Sequence, residues 1–248
     1  MMVDTQILSY VYKGREIALS SARISSVAAH EFLEAYDPAS TTRFRYYIKY
    51  QSGRHFGIPA VSPAQRKGGA VQRLVLDFGS DYPQLIEFNS RATASIINDR
   101  NIPAFGHVLS SLDKTVQKKL RPRFAFLCDK VDECVPLSPQ TAELAIQLLW
   151  EFVQNNNVKG NFRNSVNDMM ILATAISGRE HLLTEDNLLM RFAATRLQAP
   201  IREFGQNLIE IDFERNTEGQ KRSSNESKGY INRGWRIAAD VQRRPIVT

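Results

Sequence analysis

Four acidic residues occupy positions where a cation-binding site can form. Asp4 follows the apolar residues of the first predicted strand, and Asp186 follows the predicted strand "HLLT". Glu31 lies in the helix predicted after the second strand, and Asp168 lies near the start of a later helix. Carboxylates that converge raise one another's pKa unless a cation neutralises them, and Mg²⁺ takes carboxylate oxygens as ligands. One or two such ions can activate water for displacement at phosphorus, so the set predicts phosphodiester hydrolysis.

Each acid also has a structural interpretation when it is considered alone. Asp4 and Asp186 suit helix N-caps, and Asp168 suits the positively polarised start of a helix. Glu31 suits a solvated helix face, as does Glu34 one turn further on. The structural interpretation requires four coincidences at one edge of a sheet, and this favours the metal site.

The elements that position these acids alternate between short apolar strands and helices. Residues 2–4 predict a strand before a helix, and residues 22–36 predict a strand followed by a helix with Ser26 as its N-cap. Further on, "CVPLS", "HLLT" and "NLIEID" predict strands separated by helices. This alternation predicts an α/β fold, a three-layer α/β/α sandwich on a central, mainly parallel sheet. The carboxyl ends of parallel strands share the edge where ligands bind, and the four acids fall there.

Helix signals fill the rest of the chain. "LIEFNSRATASIINDR" and "HVLSSLDKTVQKKL" predict helices, the second ending at two lysines that suit a helix C-terminus. Ser138 and Pro139 open a long helix, and Gly178 closes the next one. We therefore predict one domain over 1–212, interrupted at about 37–130 by a basic, largely helical insertion, and a basic extension at 213–248.

The net charge of +6 is unevenly distributed. Residues 37–130 contain 15 Lys and Arg against 7 Asp and Glu, and residues 213–248 contain 8 against 4. The remaining sequence is acidic, so an acidic part is flanked by two basic ones. This pattern suggests carboxylates that hold cations beside surfaces that hold a polyanion.

Two stretches of the basic region are candidates for contact with nucleic acid. "TRFRYYIKY" interleaves cations with aromatic rings, as single-stranded nucleic acid requires, or forms an edge strand whose aromatic side packs inward. "QRKGGA" predicts a phosphate-contacting loop or a solvated turn. The candidate residues are Arg43, Arg45, Tyr46, Lys49, Arg66 and Lys67.

Other site types find little support. The two cysteines, Cys128 and Cys134, are too few for a disulfide framework and fit a reducing compartment. The four histidines, among them His181, show no metal-ligand spacing and are predicted to be structural or on the surface. There is no secretory signal and no apolar run long enough to span a bilayer, so a cytoplasmic protein without membrane contact is expected.

The order of motifs resembles that of PIN-domain nucleases. "MVDTQIL" resembles their opening strand, Asp-Thr and helix, and "ISSVAAHEFLEAY" resembles their second motif, with Ser25 and Glu31. "NDMMILATAISGREHLLTEDNLLMRFA" resembles the third and fourth motifs together. The resemblance covers about 1–36 and 131–212. It implies that the metal ligands and catalytic carboxylates are Asp4, Glu31, Asp168 and Asp186, that Thr184 orients the site, and that Thr5 and Asn187 are neighbours.

This resemblance implies an endoribonuclease that uses one or two Mg²⁺ or Mn²⁺ ions and leaves 5′-phosphate and 3′-hydroxyl ends. Structured RNA such as tRNA is the expected substrate, and a toxin or defence effector is an expected role. That role implies an inhibitory or activating protein partner, and a homodimer is also expected. The interval between Glu31 and Asp168 is long for a compact PIN toxin. A DNA-directed flap or nicking nuclease and a non-catalytic nucleic-acid-binding protein remain the alternatives.

Overall fold

The structure is a computed structural model that describes residues 1–19, 21–34, 73–78, 82–110, 112–156, 158, 162–214 and 236–240. None of the described helices is long and apolar enough to cross a membrane. In chain order the elements are β1 (Met2–Val3), α1 (Thr5–Tyr12), β2 (Arg23–Ser25), α2 (Ser26–Phe32), β3 (Arg73–Phe78), β4 (Tyr82–Phe88), α3 (Ser90–Asn98), α4 (Ile102–Leu109), α5 (Lys114–Lys130), β5 (Glu133–Val135), α6 (Pro139–Asn155), α7 (Phe162–Gly178), β6 (Leu182–Thr184), α8 (Asn187–Arg196), β7 (Ile201–Phe204), a 3₁₀ turn (Gly205–Asn207), β8 (Leu208–Ile211) and β9 (Arg236–Asp240).

The central sheet has six strands in the order β5-β2-β1-β6-β8-β7. Strands β5, β2, β1 and β6 are parallel to one another, whereas β8 is antiparallel to both β6 and β7. The predicted α/β class is therefore confirmed, with a mixed sheet. Because β1, β2 and β6 run in the same direction, the residues that follow them lie at one edge of the sheet.

Consecutive residues of the central strands enter two separate apolar clusters. Met2 and Leu182 pack with α6, α7 and α8, whereas Val3 and Leu183 pack with α1, α3, α4 and α5. Helix α2 contributes to both clusters. Side chains alternate between the two faces of a strand, so both faces of the sheet are covered. Full burial of each such side chain contributes about 1.5–3 kcal/mol.

Helices α3, α4 and α5 lie in the sequence that was predicted to be an insertion. They bury Ile97, Phe105 and Phe124 in the same cluster as Val3 and Ile7. The rings of Phe105 and Phe124 stack with their centroids 4.1 Å apart and an interplanar angle of 11°. These three helices are therefore part of the packing around the central sheet.

A second sheet has three strands in the order β4-β3-β9, and both pairings are antiparallel. Strands β3 and β4 belong to the predicted insertion, and β9 belongs to the predicted C-terminal extension. Leu74 of β3 pairs with Phe88 of β4 and with Ala239 of β9. The sequence pattern missed this pairing because β9 is far from its partner along the chain.

Some predicted helix boundaries are wrong, and side-chain caps explain two of them. Ser25, and not Ser26, caps α2, because its Oγ accepts the N–H of Ala28 at 3.0 Å. The stretch "LIEF" is the end of β4, because α3 begins only after Asn89, whose Oδ1 accepts the N–H of Ala92 at 2.9 Å. Ser138 caps α6 as predicted, accepting the N–H of Thr141 at 3.0 Å.

Two further helices differ from their predicted extent. Residues 107–120 belong to two helices, since α4 ends at Leu109 and α5 starts after Asp113. Helix α5 then continues past the two lysines and through Pro122 to Lys130, because its next turns are buried in the core. Helix α7 includes Gly178, and the residue with left-handed backbone is Arg179, at φ 52°.

Candidate functional site

Asp4 lies directly after β1 and at the N-cap position of α1, but its side chain makes no capping hydrogen bond. Its backbone N–H donates to the carbonyl of Leu183 at 3.1 Å, which continues the pairing between β1 and β6. The carboxylate Oδ2 instead accepts a hydrogen bond from the hydroxyl of Thr184 at 2.6 Å. Asp4 is 5% exposed and Thr184 is fully buried. The helix-cap interpretation of Asp4 therefore does not describe its side chain.

The surroundings of Asp4 oppose its ionisation. Burial, the largest cause, raises the pKa of Asp4 to about 6, and the negative charges of Glu31 and Asp186 act in the same direction. The hydrogen bond from Thr184 lowers the pKa and offsets part of this effect. A carboxylate in this position is ionised at neutral pH at a cost that a bound cation would remove.

Glu31 is held by the residue next to Asp4. The hydroxyl of Thr5, the first residue of α1, donates to Glu31 Oε2 at 2.8 Å. Helix α2 begins directly after β2, which is parallel to β1, so Glu31 approaches the same edge of the sheet as Asp4. Two consecutive residues therefore serve the site: Asp4 supplies a carboxylate, and Thr5 positions the carboxylate of Glu31.

Asp168 extends from α7, which packs against α2 and β2. Burial raises its pKa well above the usual value, and the charges of Asp4, Asp186 and Glu31 raise it further. Among the described residues, the charges that act on Asp4 and Asp168 are those of other acids. The four predicted acids therefore act on one another electrostatically, and no described base offsets the raised pKa of Asp4 or Asp168.

Asp186 caps α8, as its structural interpretation proposed. Its Oδ1 accepts the N–H groups of Leu188 at 2.7 Å and Leu189 at 3.0 Å. Its own N–H donates to the hydroxyl oxygen of Thr184 at 3.0 Å, so Thr184 bonds to both Asp4 and Asp186. The cap uses Oδ1 and fixes the carboxylate at the site edge. Asn187 is exposed at the start of α8.

Glu34 is not the solvated residue that its position suggested. It forms a hydrogen-bonded ion pair with Arg163, and the side chains are only 11% and 12% exposed, respectively. Arg163 lies one turn and a half before Asp168 on α7, and Glu34 follows α2, which carries Glu31. The pair therefore connects the helices of two candidate ligands. It was missed because nothing in the sequence relates residues so far apart.

The four carboxylates suit a hard divalent cation. All are oxygen donors, two have raised pKa values, and the charges acting on those two are negative. Among the described residues, the group of three whose ligand atoms lie within 4.8 Å of one another is elsewhere, at His181. The four acids are thus more widely spaced. Mg²⁺ keeps several water ligands, and such a spacing is compatible with water-mediated contacts.

A groove of about 430 Å³ runs beside α8, the helix that Asp186 caps. Its lining includes Asn155, Leu188, Arg191, Thr195 and Arg196. Arg191 lies five residues beyond Asp186, or about 7 Å along the helix axis. The groove thus holds two cations along α8, and neither was predicted from the sequence.

The nucleic-acid contacts predicted in the basic region cannot be placed relative to the site. Arg43, Arg45, Tyr46, Lys49, Arg66 and Lys67 all lie outside the described residues.

Comparison with known proteins gives no assignment. No protein family matches the chain, and no curated protein or solved structure is significantly similar to it. Only the chain's own residues and their geometry therefore bear on its function.

Proposed function

We propose that the protein is a metal-dependent endoribonuclease with Asp4, Glu31, Asp168 and Asp186 as its metal-binding carboxylates. One observation carries the proposal. Asp4 is buried at a strand end, its side chain makes no capping hydrogen bond to α1, and it is subject to the charges of other acids. Such an arrangement is costly for the fold alone, whereas it suits a site that holds one or two Mg²⁺ or Mn²⁺ ions.

The protein's own residues divide the work of this site. Asp4 and Asp168 bind the cation from opposite elements, and Thr184 holds Asp4 Oδ2 in place. Thr5 fixes Glu31 through its carboxylate, and the first N–H groups of α8 fix Asp186. A bound divalent ion would supply Lewis-acid activation of water and neutralise charge at the phosphate. Because the proposed nucleophile is a water molecule, this mechanism requires no nucleophilic side chain.

The fold that we propose for this activity is the PIN-type α/β/α sandwich. Four parallel strands, with the acids after β1 and β6 and in α2 and α7, support it. The resemblance of the sequence motifs to PIN nucleases supports it independently and implies 5′-phosphate and 3′-hydroxyl products. We extend the proposal to one nuclease domain over 1–212, interrupted at about 37–130, with a basic extension at 213–248. We also propose a cytoplasmic location, a homodimer, and a toxin or defence role with an inhibitory or activating partner.

RNA is the substrate we propose, with structured RNA such as tRNA as the first case to test. The chain is basic overall, with an isoelectric point of about 9.4, and Arg191 and Arg196 line a groove along the helix that Asp186 caps. Cations of this kind neutralise phosphates without reading sequence. We propose that a nucleic-acid backbone binds along this groove.

The test compares cleavage of matched RNA and DNA oligonucleotides by the full-length protein with Mg²⁺, with Mn²⁺, and with EDTA. Asp168→Asn should abolish cleavage while the circular dichroism spectrum is unchanged. Asp129→Asn is the control, because that aspartate is 70% exposed at the end of α5.

Four results would contradict the proposal. Cleavage in EDTA, or undiminished cleavage by Asp168→Asn, would exclude the assigned metal site. Cleavage of DNA alone would indicate a DNA-directed nuclease. Metal binding and RNA binding without cleavage of any tested RNA would favour a non-catalytic nucleic-acid-binding protein.

A further inference from the structure

A group of one histidine and three acids lies at the opposite end of β6 from the site described above. Strand β8 runs antiparallel to β6, and Leu182 pairs with Ile211. The next pair outward is therefore His181 with Asp212, whose side chains extend to the same face. Glu210 is two residues before Asp212, so the extended strand places it on that face as well. Glu214 follows the end of β8 and returns to the same side through a turn.

The sequence around Asp212 shows why these acids share one side. In "LIEIDFE", Glu210, Asp212 and Glu214 alternate with apolar residues that are buried in the core. This strand pattern of period two sends the apolar side chains inward and the three carboxylates to the other side. The sequence did not predict the acids near His181, because they lie on or just after a different strand.

The imidazole of His181 faces carboxylates on both of its nitrogens. Nδ1 is 3.5 Å from Asp212 Oδ1 and 3.7 Å from Glu210 Oε1, and Nε2 is 3.2 Å from Glu214 Oε1. Nδ1 is buried and has no hydrogen-bond partner among the residues that the structure describes. A neutral imidazole has one N–H, so it can satisfy the acids on one side only. On the other side, a lone pair faces carboxylate oxygens unless a cation lies between them.

The separation of these atoms fits an ion. Zinc binds imidazole nitrogen and carboxylate oxygen at about 2.0–2.2 Å, and two such ligands of a tetrahedral site are about 3.4 Å apart. The 3.5 Å between Nδ1 and Asp212 Oδ1 is close to that spacing and long for a hydrogen bond. The ligand atoms of His181, Asp212 and Glu214 all lie within 4.8 Å of one another.

The three acids carry more negative charge than the described bases around them balance. Arg202 lies opposite Glu210 on β7 and approaches its Oε1 at 3.3 Å. Asp212 Oδ1 accepts the N–H of Glu214 at 2.9 Å, which fixes the turn that brings Glu214 back toward the ring. Asp212 is 2% exposed, so its charge lies in a setting where a counter-charge matters.

We propose that His181, Asp212 and Glu214 form a second divalent-cation site that prefers a borderline metal such as Zn²⁺ over Mg²⁺. Asp212 is the buried carboxylate ligand, Glu214 is the exposed one, and His181 supplies a ring nitrogen. Glu210 lies 3.7 Å from Nδ1, pairs with Arg202 and is an outer-sphere neighbour of the ring. The ion joins the start of β6 to the point where the chain leaves β8. Its role is to stabilise this end of the sheet, and RNA hydrolysis does not pass through it.

The test is calorimetric titration of the full-length, EDTA-treated protein with Zn²⁺ in excess Mg²⁺, which occupies the oxygen-only site. We expect one Zn²⁺ to bind and to raise the melting temperature. His181→Gln and Asp212→Asn should each lose that binding at least a hundredfold, whereas Glu210→Gln, next to the ligand set, should weaken it about tenfold. Asp4→Asn is the matched control and should bind this Zn²⁺ as the parent protein does.

A spectroscopic measurement keeps the proposal testable if a variant does not fold. Co²⁺ added to the parent protein should give the intense visible absorption of a four-coordinate site, and Zn²⁺ should displace it. Equal Zn²⁺ binding by the parent, His181→Gln and Asp212→Asn would overturn the proposal. So would loss of all Zn²⁺ binding in Asp4→Asn, or a weak, six-coordinate Co²⁺ spectrum. The last result would indicate that a protonated His181 alone neutralises the acids.

Discussion

The two ends of β6 hold acidic groups of different composition. At the carboxyl end, Asp4, Asp168 and their neighbours present oxygen atoms only, and threonine hydroxyls hold two of the carboxylates. At the amino end, His181 lies among carboxylates, and Arg202 approaches one of them. Oxygen-only ligands suit hard ions such as Mg²⁺, whereas imidazole with carboxylate suits zinc-like ions. One strand therefore separates two sites that we expect to differ in metal and in role.

The largest effect expected from this comparison is a difference in catalysis. Asp4→Asn should lower RNA cleavage at least a thousandfold, because the amide keeps the shape of the side chain and removes a charge that binds the cation. His181→Gln should leave the cleavage rate within about twofold of the parent. The measurement is single-turnover cleavage of one RNA at saturating Mg²⁺. Comparable losses in both variants would mean that the two ends are not functionally separate.

The stability of the metal-free protein should depend on pH through the carboxyl-end acids. The pKa of Asp4 is about 6 in the folded state against 3.8 ordinarily, so the folded state binds more protons between these values. The free energy of unfolding therefore falls as pH rises from about 4 to 7, by about 3 kcal/mol from Asp4 alone. Asp168 acts in the same direction. Asp4→Asn should flatten this dependence in urea unfolding with EDTA.

His181→Gln is the control for that pH series and should retain the decrease. Saturating Mg²⁺ should also diminish the decrease in the parent protein, because a bound cation favours the ionised carboxylates. Stability that rose between pH 4 and 7 in EDTA would contradict the assignment.

Thr184 offers a smaller perturbation of the same end. Thr184→Val removes the hydroxyl that donates to Asp4 and accepts from Asp186, while keeping the volume of the side chain. We expect cleavage to fall about 10- to 100-fold and the free energy of unfolding to fall by about 1–3 kcal/mol. Thr174→Val is the matched control, since Thr174 is also buried but bonds only to the carbonyl of Met170. Equal losses of activity in the two variants would assign Thr184 a merely structural role.

The smallest expected effect concerns the groove that runs beside α8. Arg191→Gln should raise KM for RNA about three- to tenfold with kcat nearly unchanged, because the lost contact is to phosphate and is made before and during reaction. The effect should shrink at high salt. Arg121→Gln, exposed on α5, is the control. A fall in kcat at constant KM would instead place Arg191 at the reacting phosphate.

The sequence alone predicted the fold class and identified the candidate acids. Alternating short apolar runs and helical periods predicted the α/β class, because strands and helices impose different repeats on their buried residues. Ser138 and Pro139 predicted the start of α6 because an N-cap is a local interaction. Local signals also misplaced the starts of two helices by a few residues, because Ser25 and Asn89 make the N-caps that were predicted elsewhere.

The tertiary structure decided which atoms meet. That Asp4 bonds to Thr184, and that the partly buried Glu34 pairs with Arg163, depends on contacts between residues distant along the chain. Asp212 lies beside His181 because of the register in which β8 pairs with β6. The sequence does not show that register, because the two strands are separate along the chain. Residue types and periodicity are local properties that the sequence expresses directly. Strand pairing and helix packing are settled only when the whole core is buried together.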